Sequence, residues 1–311
     1  MTRFKFEVSI IIVNYKTPQL CINCINSIEK NSKGFSYEIL IIDNNSSDDS
    51  IEKLNSSFKK NIQIIESPTN LGTAKAYNLG IEKSDGQFIM LLNSDTVLIN
   101  NAIYIMLCEI KKDPKIGAVG CNLYDYDMKP THSYMRYYGM NYFWWHSTLF
   151  GTAVYRFLCK TNSLEFNYGK KCKKINYSCA AATLFKKESL TKAGLFDKDI
   201  FMYGEEPLLA QNMRNNGCIT ISTPTAKIQH LEGQSSVKES NGFKKSQYQR
   251  FLDGTSIYFK KTFGTKGKRK WLKLLIKGDK ARIRFYKFIR NVRLVSNFSD
   301  KLALTKLMLE K

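Results

Sequence analysis

The chain has 311 residues, 43% hydrophobic and 24% charged, which excludes a wholly disordered or fibrous protein and allows one large α/β unit with an appendage. Lysine and arginine number 48 against 27 acids, and the formal net charge of +21 favours nucleic acid, an anionic membrane surface or an anionic substrate as partner. No run of 18 uncharged apolar residues occurs and Glu7 precedes the first apolar strand, so neither a membrane span nor a signal peptide is expected, and the protein is expected in the cytoplasm. Its 8 cysteines are then expected as reduced thiols. Cys21 and Cys24 form a C-x-x-C pair without the second pair or the histidines of a zinc site, and read as two small residues on one helix face.

Residues 8–13 read as a strand, 14–18 as a turn and 19–30 as a helix that turns Ile22, Ile25 and Ile28 inward. A second strand, 38–42, runs into Asp43-Asn44-Asn45-Ser46-Ser47-Asp48, and a helix over 49–58 leads to a third strand at 62–65. The turn Pro68-Thr69-Asn70-Leu71-Gly72 opens a helix over 73–83, which feeds the apolar strand Phe88-Ile89-Met90-Leu91-Leu92. That strand stops abruptly at Asn93-Ser94-Asp95. Strands alternating with helices predict a parallel sheet covered on both faces, with right-handed crossovers. Ligands bind such sheets beyond the C-terminal strand ends, which places Tyr15, Asp43 and the Asn93-Ser94-Asp95 triplet along one cleft. Tyr15 can stack on a base, Asp43 can accept a hydrogen bond from a base imide, and Asp95 can hold a divalent metal between diphosphate oxygens. Each is also an ordinary turn residue. No G-x-G-x-x-G follows the first strand and no G-x-x-x-x-G-K-[ST] occurs, which removes the main support for dinucleotide dehydrogenases and P-loop enzymes.

A helix over 100–112 stops at Asp113-Pro114, and a strand follows over 116–123. Aromatics then concentrate at Tyr137-Tyr138 and Tyr142-Phe143-Trp144-Trp145, and basic residues at Lys170-Lys171-Cys172-Lys173-Lys174. A sugar acceptor at a lipid surface and an aromatic cluster packed under a long loop both fit that composition. Residues 175–185 are expected as one apolar strand, its small residues Ser178-Cys179-Ala180-Ala181-Ala182 admitting a ligand or another backbone. In Gly204-Glu205-Glu206-Pro207, Pro207 is expected to begin a helix that Gly217 ends, with Glu206 at its N-terminus and held extended by the proline. Either acid can take the proton from an attacking hydroxyl. His230 can ligate a metal or donate to a leaving group, or serve structure.

From 260 to 293 the chain carries 14 basic residues against the single acid Asp279. Lys273, Lys277, Lys280, Arg284 and Lys287 recur at helical spacing, opposite a stripe of Phe285, Phe288, Ile289, Val292 and Val295. A basic amphipathic helix on anionic lipid, a nucleic-acid-binding arm and a helix with a solvated basic face all share this pattern.

Four blocks resemble family 2 of the glycosyltransferases in order and spacing: Val8-Ser9-Ile10-Ile11-Ile12-Val13-Asn14-Tyr15, Ile41-Ile42-Asp43-Asn44-Asn45-Ser46-Ser47-Asp48, Asn70-Leu71-Gly72-Thr73-Ala74-Lys75-Ala76-Tyr77-Asn78-Leu79-Gly80, and Leu92-Asn93-Ser94-Asp95. The resemblance extends over residues 8 to about 236. It implies the GT-A fold, a nucleotide-sugar donor, a divalent metal (Mg2+ or Mn2+) and inversion at the anomeric carbon. It also implies base contacts from Tyr15 and Asp43, nucleotide-sugar contacts from Asn70, Gly72, Asn78 and Asn93, and metal ligation by Asp95. Ile228-Gln229-His230-Leu231-Glu232-Gly233-Gln234-Ser235 is similar to the family's His and Gly block near the diphosphate, which makes His230 a second metal ligand. Glu206 stands where the family has its general base, with Glu205 in reserve. Three departures are that Asn93 replaces a first Asp, Glu206 replaces an Asp, and Pro207 follows Glu206 in place of a small aliphatic residue.

Cys121-Asn122-Leu123-Tyr124 and residues 201–206 most resemble rhamnosyltransferases of the family, with galactosyl and glucosyl enzymes close; the resemblance implies a dTDP- or UDP-linked donor and a lipid-linked saccharide acceptor in bacterial cell-surface polysaccharide synthesis. The expected division is a catalytic domain over 1–262, with donor half 1–125 and acceptor half 126–262, and a basic extension over 263–311. A lipid-linked acceptor favours the membrane reading of that extension, peripheral at the inner face of the plasma membrane. A sugar nucleotidyltransferase needs a Gly-rich phosphate loop that Asn14-Tyr15-Lys16-Thr17-Pro18 does not provide. Nucleic-acid binding needs basic and aromatic residues in a cleft whose candidates here are acidic or neutral.

Overall fold

The computed structural model describes residues 4–58, 62–136, 139–148, 151–152, 154–155, 157–158, 164–231 and 245–310. The aromatic pair Tyr137-Tyr138 and the end of the expected His and Gly block, Glu232-Gly233-Gln234-Ser235, lie outside them. Along the chain run β1 (Phe6–Asn14), α1 (Pro18–Asn31), β2 (Tyr37–Asp43), α2 (Ser50–Ser57), β3 (Ile62–Glu66), α3 (Gly72–Lys83), β4 (Gly86–Asn93), β5 (Thr96–Leu98), α4 (Ala102–Lys111) and β6 (Ile116–Tyr124). They are followed by β7 (Tyr134–Met135), α5 (Met140–Ser147), β8 (Lys173–Ile175), β9 (Tyr177–Ser178), β10 (Ala182–Lys186), α6 (Lys187–Lys192), α7 (Glu205–Asn215), β11 (Ile219–His230), α8 (Lys245–Phe288) and α9 (Val292–Glu310).

The expected parallel unit forms: β3, β2, β1 and β4 lie side by side in parallel, with Asn14 opposite Asp43 and Val13 opposite Asn93. That register brings three polar strand ends to one level of the sheet. From Val8 to Val13 β1 is apolar apart from Ser9, because both of its faces are covered. Ile10 and Ile12 pack with Cys21, Cys24, Ile25 and Ile28 of α1, while Ile11 joins Tyr77 of α3 and Leu209 and Met213 of α7 on the other face. Cys21 and Cys24 are thus core residues, both wholly buried.

Beyond β4 the order continues β10, β6, β11, β5, and β10 runs antiparallel to both of its neighbours. The single strand expected over 175–185 is instead three short ones. Cys179, Ala180 and Ala181 make a turn in which the Ala182 N–H donates to the Cys179 carbonyl at 3.2 Å. Small residues permit that turn, and it moves the chain from the two-stranded β7–β9 pair into the main sheet. The Ala181 carbonyl then accepts the Asn93 N–H at 3.0 Å, fastening the turn to the end of β4.

The helix expected to begin at Pro207 begins two residues earlier, so Glu206 is helical rather than extended. Proline lacks an N–H, but in the first turn that donor has no intrahelical partner, so Pro207 costs no hydrogen bond there.

A third core joins the C-terminal helices to the body. Phe143 of α5, Leu208 of α7, Phe259, Trp271 and Leu272 of α8, and Leu304 and Met308 of α9 are buried together. The Tyr142-Phe143 part of the aromatic stretch therefore packs inward, whereas Trp144 stays half exposed. The basic apolar stripe is not one helix face. α8 ends at Phe288, Arg290 turns the chain with φ 55°, and Asn291 caps α9 by accepting the Leu294 N–H at 3.1 Å. Phe285, Phe288, Ile289 and Val292 project from this hairpin tip at 43, 86, 48 and 79% exposure.

Candidate active site

At the end of β1 and β2, the Asp43 carboxylate accepts from Asn14 Nδ2 at 2.8 Å, from the Ser46 hydroxyl at 2.5 Å and from the Ser46 N–H at 3.0 Å. It is 2% exposed, lying beneath the cleft rather than lining it. Tyr15, by contrast, is 40% exposed and lines a cavity of about 230 Å³ with Asn44, Asn70, Gly72, Asn93 and Phe201.

Asn44, which the sequence reading left unassigned, ties this wall together. Its Oδ1 accepts the Leu71 N–H at 2.8 Å and its Nδ2 donates to Asn70 Oδ1 at 3.1 Å. Asn70 Oδ1 also accepts the Gly72 N–H at 3.0 Å. Gly72 has φ +73°, and a Cβ there would meet the Phe201 carbonyl oxygen at 2.4 Å, the same oxygen that accepts the Thr73 N–H at 2.8 Å. Glycine is therefore required for α3 to abut residue 201. Asn78 is not brought to the cleft: its amide donates to the Phe196 carbonyl at 2.8 Å and accepts the Phe196 N–H at 3.0 Å, locking α3 to the segment before α7.

Asp95 and His230 meet because β5 pairs antiparallel with β11, placing His230 opposite Thr96, while the Leu231 N–H donates to the Asp95 carbonyl at 2.9 Å. His230 Nε2 lies 3.3 Å from Asp95 Oδ1 and 3.4 Å from Asn93 Nδ2. Asp95 Oδ1 is buried and accepts no hydrogen bond among the described residues. A buried carboxylate oxygen in that condition, beside an imidazole nitrogen, fits a divalent cation. Diphosphate oxygens and water would complete a shell begun by Asp95 and His230, as Mg2+ prefers.

Glu205 and Glu206 occupy the first turn of α7. Glu206 Oε1 accepts the Ala180 N–H at 2.5 Å, and Tyr77 links this turn to the strand end by donating to Asn93 Oδ1 at 2.9 Å. Glu205 is 5% exposed; burial first and the neighbouring Glu206 charge second push its carboxyl up to about 8. Burial also raises Glu206, opposed by the Ala180 N–H and the charges of His132 and His230. Glu206 is the acid of the pair that faces a larger cavity, about 730 Å³, between α5, α7, α8 and α9. Tyr77 has its hydroxyl held well above the ordinary range, by burial and then by Glu206.

Tyr77 and Arg250 also escaped the sequence reading. Tyr77 lies five residues past Gly72 on the inward face of α3, a spacing that points to it. Arg250 is the one Lys or Arg lining the Tyr15 cavity among the described residues, its guanidinium 5.5 Å from the Phe201 ring. No local pattern sets it apart from the other cations of the C-terminal region.

A parallel sheet with a polar cleft at its C-terminal strand ends, continued by a mixed half that carries an acidic helix start, is the arrangement of the GT-A fold. Two solved structures share it. A mannosyltransferase from Pyrobaculum calidifontis, in complex with GDP-Man and Mn2+, aligns at TM-score 0.60 and 13% identity over 99% of this chain and 88% of its own. GalNAc-T7 with UDP, GalNAc and Mn2+ aligns at 0.57 and 15% identity over 82% of this chain and 48% of its own. Residues 9–190 match the Glycosyl transferase family 2 model, and the chain belongs to that family. A poly-beta-1,6-N-acetyl-D-glucosamine synthase of Staphylococcus epidermidis is 36% identical over 109 residues, 34% of this chain and 25% of that protein. An uncharacterized glycosyltransferase of Haemophilus influenzae is 34% identical over 84 residues, 26% of this chain and 32% of that protein. The chain thus spans about a quarter to a third of the length of these curated relatives.

Proposed function

We propose that this chain is an inverting glycosyltransferase that moves a sugar from a nucleotide-diphosphate donor to a saccharide hydroxyl. The observation that carries this reading is the position of Glu206. Its carboxylate lies in the wall of the large cavity, and the Ala180 and Tyr77 contacts join its turn to the strand end that bears Asn93 and Asp95. The donor base stacks on Tyr15, Asn44 and Asn70 shape the wall beside it, and Arg250 faces the negative charge of the diphosphate. Asp95 and His230 would hold Mg2+ or Mn2+, which would supply charge stabilisation to the leaving diphosphate. Asp43 acts through Asn14 and Ser46 to fix the strand ends. Glu206 takes the acceptor proton as the hydroxyl oxygen attacks, and burial, which raises its affinity for a proton, makes it a stronger base than an exposed carboxylate.

The donor is UDP- or dTDP-linked in this reading. The likeness of residues 121–124 and 201–206 to rhamnosyltransferases favours a deoxyhexose, and the poly-beta-1,6-N-acetyl-D-glucosamine synthase relatives favour N-acetylglucosamine; in this reading the acceptor is a lipid-linked saccharide of cell-surface polysaccharide synthesis. No helix among the described residues is long and apolar enough to cross a membrane. The exposed tip at Phe288 and Val292, flanked by Arg284, Lys287, Arg290 and Arg293, then rests the enzyme on anionic lipid at the inner face of the membrane. A screen of nucleotide sugars for turnover identifies the donor. With that donor, Glu206→Gln should lower turnover about 100-fold or more while donor affinity stays within about threefold. Full turnover by Glu206→Gln together with loss in Glu205→Gln would exchange the two roles.

A further inference from the structure

The proposed reaction uses one group of the 730 Å³ cavity, Glu206, and leaves its opposite side unassigned. That volume suits a mono- or disaccharide portion of a substrate. Tyr142, Tyr248, Tyr286 and Phe298 supply rings that sugar faces can pack on. The remaining charged lining among the described residues, Asp279, Arg282 and Lys301, comes from α8 and α9.

These three are built in rather than displayed. Asp279 is 5% exposed, and its Oδ2 accepts no hydrogen bond among the described residues. Arg282 Nη1 stands 4.0 Å from Asp279 Oδ1, while Nη2 donates to the His146 carbonyl and to Thr152 Oγ1 at 3.2 Å, which fixes the guanidinium plane. The Lys301 ammonium lies 5.4 Å from the Tyr248 ring centre and 5.1 Å from that of Phe298. Burial lowers the proton affinity of both cations and raises that of Asp279 to about 6. Two partly buried cations and one carboxylate thus line this side of the cavity among the described residues, and an anionic ligand group placed there would gain charge-assisted hydrogen bonds from both cations.

We infer that Arg282 and Lys301 form an anion subsite, so that the acceptor is a saccharide bearing a phosphate or a carboxylate as well as the hydroxyl presented to Glu206. This rests on the reading that the large cavity holds the acceptor. Asp279 limits the subsite's strength by competing for the same two cations.

Calorimetric titration of the full chain with glucose 1-phosphate, glucuronate and methyl glucoside, in excess chelator, tests the subsite. Either anion should bind at least about tenfold more tightly than the neutral glycoside. Tighter binding of glucose 1-phosphate points to a phosphate-linked acceptor, and tighter binding of glucuronate to an acidic sugar. Lys301→Met should abolish the preference, Lys301→Arg should restore it, and Asp279→Asn should strengthen it several-fold. A merely structural trio would show no gain on losing Asp279. Equal affinity for all three probes overturns the inference, as does a preference that survives Lys301→Met, or an Asp279→Asn variant that folds yet binds anions more weakly. Donor turnover without acceptor, measured on the same preparations with Mn2+ in place of the chelator, separates the two readings. If it persists while the anion preference is missing, only the subsite fails; if no donor is turned over, the transferase reading fails with it.

Discussion

At the scale of single residues the site sorts two neighbouring acids by environment. Glu205 is buried with an oxygen that accepts no hydrogen bond among the described residues, and its carboxyl is pushed up to about 8. Glu206 has the Ala180 N–H and the large cavity. A folded-state value above the unfolded one means the native state binds the extra proton. Stability from Glu205 is therefore fully present below about pH 4.5 and is lost as pH rises through 8. Glu205→Gln should flatten that slope, melting higher than the parent at pH 9 by up to a few kcal/mol of unfolding free energy. Parallel melting curves for the two proteins from pH 5 to pH 9 would show that Glu205 does not carry the proton. Asp95 is the second residue with a distinct expectation. Asp95→Ala removes a buried carboxylate that lies against His230, so it should abolish metal-dependent donor turnover and weaken Mn2+ binding at least tenfold while the melt stays cooperative. Undiminished turnover of the parent in excess chelator contradicts the metal role outright.

At the scale of elements, the path of α8 across the start of α7 sets the aim of Glu206. A Cβ at Gly254 would stand 1.9 Å from the Tyr203 carbonyl oxygen and 2.3 Å from that of Met202. Alanine gains about 1 kcal/mol of helix propensity over glycine, which cannot offset a contact that forces the two backbones apart. Gly254→Ala should thus move the α7 start and lower turnover by about 100-fold with smaller loss in donor binding, since shifts near 1 Å carry such costs. Kinetics matching the parent would show that the helices separate without moving Glu206. The same scale explains what could be read from sequence. β1 to β4 and α1 to α3 were legible because each is a local apolar pattern closed by turn residues. The threefold break of residues 175–185 was not, because it depends on Ala181 bonding to Asn93 across the sheet. Asp95 and His230 were separately legible as metal-binding types, yet their meeting rests on the β5–β11 register. Asn78 carries the opposite lesson: its motif points to the donor, and its side chain is spent on Phe196.

At the scale of the whole molecule, the basic C-terminal region is both part of the core and the bearer of an exposed tip. Trp271 and Leu272 are fully buried against α5 and α7, so a chain ended at 263 should lose cooperative folding, and truncation cannot separate anchoring from stability. The tip can be altered alone. Arg284, Lys287, Arg290 and Arg293 are exposed around Phe288 and Val292, and no acid occurs between 284 and 293. Each cation near an anionic surface contributes about 1 kcal/mol, and the exposed aromatic and aliphatic side chains add apolar burial at the headgroup level. Reversing Lys287, Arg290 and Arg293 to Glu should leave the turnover of a soluble acceptor unchanged, because none of the three lines either cavity. It should abolish sedimentation with vesicles rich in phosphatidylserine. The parent protein should sediment with those vesicles, be released as salt shortens the Debye length from about 10 Å toward 3 Å, and bind neutral vesicles weakly. Equal binding of the parent to neutral and anionic vesicles, or retention of the triple variant, would show that the tip is only a solvated turn.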